Sequence, residues 1–407
     1  MKIRPAIFYR NLLTLAFALF VFYAFYRIVA YDDGNHEHLR RRQKHLYLTV
    51  SKDRIESRLP TLSPKRILLW TPIFGSYPTG VLDDCKDFVD RCIFDTDHSR
   101  IAIADAVVFH SKDITSRPFP DQNQRNITQK YVYMSMETPE NSGMYAVPNE
   151  IKSLPENLFN WIATPLLSSD VIFKYGSFWI KTADAERKGF RIESFHFDIE
   201  KMEKKRKGVF GLISNCNTAN KREKIIEALS KHIEVTIAGK CKNKPEYAEL
   251  CPRGKDCREL FEEYPFFFAI ENSDCRDYVT EKYWDRYKYV SIPIVMQRWV
   301  YEGMNAPPKS FIAVDDFKNI NEMGEYLNHL QGNKTAYMEY FKWRNGDWTI
   351  APWNYPGYRN GWCKLCEKLW DSDNSTDVSQ ERIKSVYEHY TKESHCDVSF
   401  TEKWLST

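Results

Sequence analysis

The chain has 407 residues, and its 58 Lys and Arg against 55 Asp and Glu give a formal net charge of +3. This near balance is too mild to indicate the clearly basic face that nucleic-acid binding requires, so no nucleic-acid partner is expected. Aromatic residues reach 15% while Gly and Pro stay modest, which excludes a disordered or low-complexity chain. At roughly 100–200 residues per domain, the length predicts two folded domains.

The N-terminal segment predicts a membrane anchor. Residues 12–26, LLTLAFALFVFYAFY, carry no charge and lie between Arg10 and Arg27. A helix of that length spans about 22 Å, and snorkelling of Arg27 with the following IVAY extends it enough for a thin membrane. Basic residues precede the segment and Asp32 and Asp33 follow it, so the positive-inside rule places the body in the lumen. A cleaved signal peptide is the alternative, but the aromatic-rich exit lacks a small-x-small cleavage site.

Cysteines and glycosylation sequons agree with a lumenal body. The chain has ten cysteines, and N-x-S/T sequons occur at Asn126, Asn333 and Asn374. The segment GWCKLC spaces Cys363 and Cys366 as zinc or redox sites do in cytosolic proteins. No second pair matches that spacing, and the compartment favours disulfides.

After a charged stem at 32–64, strands and helices alternate. Two helices are predicted from apolar stripes, one in ANKREKIIEALSKHI and one in INEMGEYLNHL. Continuously apolar strands are typical of parallel sheets that are covered on both faces, so the pattern predicts two Rossmann-like α/β domains. The charged stretch 195–208 is the predicted linker. The predicted strands are RILLWTPIF, ADAVVFH (104–110), KYVYMSM (130–136), GVFGLIS (208–214), EVTIAG (234–239), FFFAI (266–270) and SIPIVM (291–296).

Several candidate functional residues follow these strands. Arg222 falls near the first turn of the helix after GVFGLIS, where backbone N–H groups favour anions; a solvated surface arginine is the alternative. Glu271, Asn272 and Ser273 end the strand FFFAI, at the carboxyl end where open α/β sheets bind nucleotides, and an ordinary polar loop is the alternative there. No G-x-G-x-x-G or Walker A sequence supports a dinucleotide or P-loop site.

Two further positions carry charge at the predicted sheet edge. Glu281 and Lys282 open the next segment, where Lys282 suits a diphosphate and Glu281 suits sugar hydroxyls; a plain surface pair is the alternative, since TEK recurs at 401–403. Glu137 follows KYVYMSM and suits a general base, with a turn residue as the alternative. His110 ends the strand ADAVVFH and is a further candidate for the cleft, but a structural histidine is the favoured interpretation. No Asp-x-Asp stretch is convincing as a site for a nucleotide-bound metal, since VDDF at 314–317 is typical of the end of a strand entering a turn.

Together these segments resemble glycosyltransferase family 10, the α-1,3-fucosyltransferases. FFFAIENSDCRDYVTEKYW carries the signature, and SIPIVM and FIAVDDF follow at the expected distance. YVYMSMETPENSG resembles the upstream stretch of the family, and LISNCNTANKREKIIEALSKHIEV resembles the opening of its donor domain. DDCKDFVDRC and GWCKLCEKLW resemble its bracketing cysteine segments. The likeness covers roughly residues 65–370.

The resemblance implies a GT-B fold in which two Rossmann-like domains face a cleft. It implies inverting transfer of L-fucose from GDP-β-L-fucose to the 3-hydroxyl of GlcNAc. The reaction is implied to require no metal ion, although a divalent cation can stimulate it. Cys85 and Cys92 are implied to bridge to the Cys363/Cys366 pair, with the connectivity open. Glu137 corresponds to the general base, Arg222 and Lys282 to the diphosphate-neutralising residues, Glu281 to the ribose contact, and Asn272 and Tyr278 to the nucleotide pocket.

The sequence departs from the family pattern after TEK, where YWDRYKYV and Gln297 replace the usual small residues. The implied partners are GDP-fucose, GlcNAc-containing glycans on glycoproteins and the Golgi membrane. The N-glycan core GlcNAc is the favoured acceptor, and Lewis-type antennae are the alternative acceptor. An inactive glycan-binding protein and a glycoside hydrolase, which needs two carboxylates, are the alternative functions.

The predicted domains are a cytosolic tail (1–10), an anchor (11–31), a stem (32–64), an acceptor-side domain (65–205), a GDP-fucose domain (206–345) and a disulfide-bearing segment (346–407).

Overall fold

Six strands from the first half of the chain form one parallel sheet in a computed structural model of the protein. The order across this first sheet is β2-β1-β3-β4-β5-β6, and every neighbouring pair is parallel. The strands are β1 (Lys65–Leu69), β2 (Cys92–Asp95), β3 (Ala106–His110), β4 (Lys130–Met134), β5 (Trp161–Thr164) and β6 (Val171–Ile172).

Five later strands form a second parallel sheet with the order β12-β11-β10-β8-β9. A short antiparallel pair, β7 with β13, lies apart from both sheets. These strands are β7 (Trp179–Lys181), β8 (Val209–Leu212), β9 (Val235–Ala238), β10 (Phe266–Phe268), β11 (Ile292–Val295), β12 (Ile312–Ala313) and β13 (Trp348–Ile350).

The two parallel sheets confirm the α/β prediction, and each of the seven predicted strands overlaps an observed one. Both predicted helices are also confirmed. The strands β2, β5, β6, β7 and β13 were not predicted, and all of them are only two to four residues long. The strand β12 directly precedes VDDF, which the sequence indicated as the end of a strand. The helices are α1 (Thr182–Arg187), α2 (Arg222–Leu229), α3 (Arg258–Glu262), α4 (Glu281–Trp284), α5 (Ile320–Gly332), α6 (Lys334–Met338), α7 (Gly361–Asn374), α8 (Val386–Ser394) and α9 (Phe400–Leu405).

The last part of the chain returns to cover the first sheet. Alternate residues of a strand point to opposite faces, so each covered face has its own apolar cluster. One cluster joins Ile67 and Val132 to Leu365 of α7, and the other joins Tyr133 and Phe109 to Tyr390 of α8. The C-terminal segment therefore completes the core of the N-terminal sheet.

All ten cysteines form disulfides. Cys85 pairs with Cys363 and Cys92 with Cys366, which links the two segments that the family resemblance implied and fastens α7 to the first sheet. The remaining bridges join Cys216 to Cys241, Cys251 to Cys257 and Cys275 to Cys396.

The structure describes residues 63–85, 88, 90–142, 152–190, 192, 207–252, 254–351, 360–374 and 382–407. Pro64–Thr407 forms one compact unit. The predicted tail, anchor at 11–31 and almost all of the stem lie outside the described residues, as does most of the predicted linker at 195–208. Within the described ranges, no helix is long and apolar enough to cross a membrane.

Candidate active site

The carboxyl ends of the two parallel sheets meet through polar side chains. Ser273, beyond the end of β10, accepts hydrogen bonds from Thr138 Oγ1 at 3.0 Å and from Asn141 Nδ2 at 2.7 Å. Thr138 and Asn141 follow β4 of the other sheet. Since ligands of open α/β sheets bind outside the carboxyl ends of the strands, this junction is the candidate site.

Glu137 lies at this junction, and residues of the second sheet hold its carboxylate. Tyr278 donates its hydroxyl to Glu137 Oε2 at 2.9 Å, and Asn272 Nδ2 lies 3.5 Å from the same oxygen. Burial raises the pKa of the Glu137 carboxyl, and the hydrogen bond from Tyr278 and the positive charge of Lys112 only partly oppose it. A carboxylate with a raised pKa accepts a proton more readily at neutral pH, as a general base requires.

Glu271 is the first polar residue after Ala269 and Ile270, and it is only 3% exposed. The backbone N–H of Thr280 donates to Glu271 Oε1 at 2.8 Å, and the ammonium of Lys282 lies 2.9 Å from Oε2. Glu271 therefore fixes the turn that precedes α4. Sequence reasoning explained the polar end of the strand by a bound nucleotide, but Glu271 and Ser273 take protein groups as partners, and Asn272 is the one that turns to Glu137.

Lys282 and Glu281 lie side by side at the start of α4, whose N-cap is Thr280. Burial opposes the charge of Lys282, but the carboxylates of Glu271 and Glu281 outweigh it and raise the pKa of the ammonium. Burial also opposes the charge of Glu281, yet Lys282 lowers the net pKa of that carboxyl. Both groups are therefore charged at neutral pH. The Glu281 side chain is 48% exposed and the Lys282 side chain 23%, so a ligand can reach them.

Arg222 is the first residue of α2 and is 3% exposed. Its guanidinium donates to the carbonyl of Ile270 at 2.6 Å and to that of Asn215 at 3.1 Å. Burial lowers the pKa of Arg222, and the Glu271 carboxylate opposes this effect. Arg222 Nε is buried without a partner among the described groups. The arginine therefore lies behind the end of β10 as a buried positive charge.

His110 and the three sequon asparagines are the remaining sequence candidates. His110 is fully buried, and its Nδ1 lies 2.7 Å from Asp113, as a structural histidine would. Asn126 is exposed, whereas the Asn333 side chain caps α6 by accepting the N–H of Ala336. The Asn374 side chain lies outside the described groups.

One group of residues within the described ranges has ligand atoms close enough for a metal ion. It consists of Glu140, Cys275 and Cys396. The two cysteines form a disulfide with each other, so neither supplies a thiolate.

Sequence reasoning assigned no individual role to Glu271 or Ser273 and did not single out Tyr390. Glu271 and Ser273 carried a signal, because both follow an apolar strand directly. Tyr390 carried none, since its contact with the site, described below, spans 253 residues.

Two parallel sheets with a polar junction at their carboxyl ends define an α/β protein and mark the place where such folds bind ligands. The profile for the glycosyltransferase family 10 (fucosyltransferase) C-terminal region matches residues 202–387, and the fucosyltransferase N-terminal profile matches residues 62–176. The chain therefore belongs to glycosyltransferase family 10, the fucosyltransferases, and is a glycosyltransferase.

Two relatives from Caenorhabditis elegans agree with this assignment. Alpha-(1,3)-fucosyltransferase fut-5 of Caenorhabditis elegans is 32% identical over 353 residues, which cover 84% of this chain and 87% of that protein. Alpha-(1,3)-fucosyltransferase fut-1 of the same organism is 34% identical over 342 residues, 79% of this chain and 70% of that protein. A crystal structure of an alpha1,3-fucosyltransferase matches 81% of this chain and 97% of its own with 18% identity and a TM-score of 0.49.

Proposed function

We propose that the protein transfers L-fucose from GDP-β-L-fucose, with inversion, to the 3-hydroxyl of a GlcNAc residue on glycoprotein glycans. Glu137 is the general base, and Arg222 and Lys282 compensate the charge of the departing GDP. The observation that carries the proposal is the position of Glu137. This residue follows β4 of the first sheet, and its carboxylate contacts Asn272 and Tyr278 in the loop after β10 of the second sheet.

Inverting transfer needs a single displacement at the sugar carbon. The base removes the proton of the acceptor hydroxyl while the oxygen forms the new bond, and the bond to GDP breaks on the opposite face. The raised pKa of Glu137 suits this step, because burial destabilises its charge until a proton arrives. One carboxylate is enough, whereas a glycoside hydrolase needs two across one bond.

The leaving diphosphate carries negative charge that must be compensated in the transition state. Lys282 stays charged next to Glu271 and keeps an exposed face. Arg222 adds a second positive charge behind the end of β10, where its guanidinium contacts the carbonyl of Ile270. Glu281 is half exposed beside Lys282 and suits the ribose hydroxyls. Together these groups support a donor site on the second sheet, as a GT-B arrangement requires.

The acceptor is the finer part of the proposal. We favour the GlcNAc of the N-glycan core, and the GlcNAc of a Lewis-type antenna is the second candidate. The departures after TEK, including the buried Gln297, motivate this preference, because they change the surroundings of the donor loop.

The proposed location is the Golgi lumen, with residues 11–31 as a signal anchor. The pairing of all ten cysteines supports an oxidising compartment.

The test is a transfer assay with the full-length chain in detergent, GDP-fucose and EDTA. The acceptor panel contains N-glycans with and without an accessible core and type 2 antennae, and products are measured by mass. A fucose-sized gain on one class of acceptor establishes the activity and names the acceptor. If GDP binds but no acceptor on the panel gains fucose, the proposed transfer to these acceptors is wrong, and either an acceptor of another class or an inactive binding protein takes its place.

A further inference from the structure

The C-terminal segment 385–407 packs against both parallel sheets. Tyr390 of α8 belongs to the apolar cluster on the first sheet, and Trp404 of α9 belongs to a cluster on the second. We refer to residues 385–407 as the strap. Between its two anchors, the strap runs along the junction that contains the candidate active site.

The strap contacts the backbone of the proposed base. Tyr390 is 2% exposed, and its hydroxyl donates to the Glu137 carbonyl at 2.6 Å. Ser135 Oγ donates to the same carbonyl at 2.8 Å and also accepts the Glu137 N–H at 3.2 Å. The ring of Tyr390 packs edge-on against Tyr133, so the direction of its hydroxyl is fixed by packing. The peptide group that carries the Glu137 side chain is therefore held on two sides.

The strap also fastens the loop that follows β10. The N–H of Arg276 donates to the Ser394 carbonyl at 2.8 Å, and the N–H of Asp397 donates to the Asp274 carbonyl at 2.8 Å. The disulfide between Cys275 and Cys396 lies between these two hydrogen bonds. Three consecutive residues of this loop are thereby attached to the strap, directly beside Asn272 and Tyr278.

A third contact reaches the turn before α2. Thr401 Oγ1 donates to the Asn220 carbonyl, and the Asn220 side chain donates to the Glu271 carbonyl at 3.1 Å. Asn220 is 1% exposed and lies two residues before Arg222. The strap thus touches each of the three segments that carry the proposed base and the proposed donor-binding cations.

We propose that the strap is a positioning element of the active site, in which Tyr390 positions Glu137 and the Cys275–Cys396 bridge positions the donor loop. The inference rests on the proposed function, since it takes Glu137 as the base. The C-terminal family profile ends at residue 387, so the contacting residues of the strap lie beyond the matched region. If the strap only stabilised the fold, substitutions in it would lower the free energy of unfolding but would not change turnover and donor affinity separately.

The first test replaces Tyr390 with Phe, which keeps the ring and removes the hydroxyl. We expect kcat per GDP-binding site to fall about tenfold, the scale of one lost hydrogen bond, while the KM for GDP-fucose stays within about twofold. The acid limb of the pH–rate profile should move to lower pH, because a loosened Glu137 carboxyl regains solvent and its raised pKa falls. Counting sites by GDP calorimetry corrects for misfolded protein.

Tyr387→Phe is the matched control, since Tyr387 lies on the same helix and its hydroxyl contacts no described residue of the site.

The second test replaces Cys275 and Cys396 with Ser together. We expect the KM for GDP-fucose to rise about fivefold or more, and the affinity for GDP to fall in parallel, because the loop carrying Asn272 and Tyr278 loses its covalent attachment. The matched control is Cys251→Ser with Cys257→Ser, which removes a bridge within one short segment. This control should leave both constants unchanged.

The outcomes separate the two proposals. If the wild-type chain transfers fucose and both strap variants keep wild-type constants and the wild-type pH profile, the strap is only a structural brace and the inference is wrong. If the wild-type chain and Glu137→Gln transfer equally, or if neither transfers, the proposed role of Glu137 fails first, and the positioning role of Tyr390 fails with it.

Discussion

The hydroxyl of Tyr278 lies 2.9 Å from the carboxylate of Glu137, although 141 residues separate them in sequence. Tyr278 belongs to the loop after β10 of the second sheet, and Glu137 follows β4 of the first. The conformation of the proposed base therefore depends on a residue of the domain that is proposed to hold the donor. Because of this contact, a substitution near either residue can change the position of the Glu137 carboxylate and therefore the rate of the proposed reaction.

Glu137→Gln tests the base. The amide has nearly the same shape but cannot accept the acceptor proton, so we expect kcat to fall by about 10²–10⁴-fold. Affinity for GDP, measured by calorimetry, should stay within about twofold. Glu140→Gln is the control, because Glu140 is a neighbouring carboxyl whose pKa burial also raises. It should keep near-normal turnover, and equal losses in the two variants would contradict the assignment.

Tyr278→Phe tests how the pKa of the base is set. Burial raises the pKa of Glu137, and the hydrogen bond from Tyr278 lowers it. Removing the hydroxyl should raise this pKa further, so the protonated and inactive form persists to higher pH. The acid limb of the pH–rate profile should therefore move upward for the variant. A limb that stays in place or moves downward would show that this hydrogen bond does not control the titration of the base.

Lys282→Ala tests the proposed diphosphate contact. Losing one charge-assisted hydrogen bond should weaken GDP binding by about 1.5–3 kcal/mol. The variant should also be less stable, because Glu271 is 3% exposed and loses the cation that compensates it. Lys403→Ala is a matched control, since Lys403 ends the second Thr-Glu-Lys triplet and is exposed on α9. Wild-type GDP affinity in Lys282→Ala would exclude the contact.

Asp274→Asn tests a buried carboxyl behind the donor loop. Burial raises the pKa of Asp274 to about 8 in the folded protein, against an ordinary value of 3.8, and Asn220 only partly opposes this. The folded state therefore keeps a proton that the unfolded state releases, so the free energy of unfolding falls as pH rises from about 4 to about 8. The Asn variant lacks this dependence.

Urea unfolding at pH 5 and pH 8 measures the effect of Asp274→Asn. We expect its stability relative to the wild type to increase between the two pH values. The exposed Asp90 supplies the control variant Asp90→Asn. An identical pH dependence in the wild type and Asp274→Asn would show that Asp274 is ionised in the folded protein.

Local sequence was sufficient for several elements of this fold and site. Continuous apolar runs predicted seven strands, because a strand that is covered on both faces must be apolar at every position. Polar residues directly after such runs predicted where the site lies, since the carboxyl ends of parallel strands share one edge of a sheet. Glu137, Arg222 and Lys282 could be selected on this basis, and the motifs around them predicted the family.

Tertiary structure decided which of these groups meet and what holds them. Glu271 and Lys282 form a pair because the turn at Thr280 folds back on the strand end, and the carboxylate of Glu137 meets Tyr278 because the two sheets face each other. The attachment of Tyr390 to Glu137 spans 253 residues and depends on α8 covering the first sheet. Such contacts leave no local periodicity in the sequence, because the free energy that forms them comes from packing between distant segments.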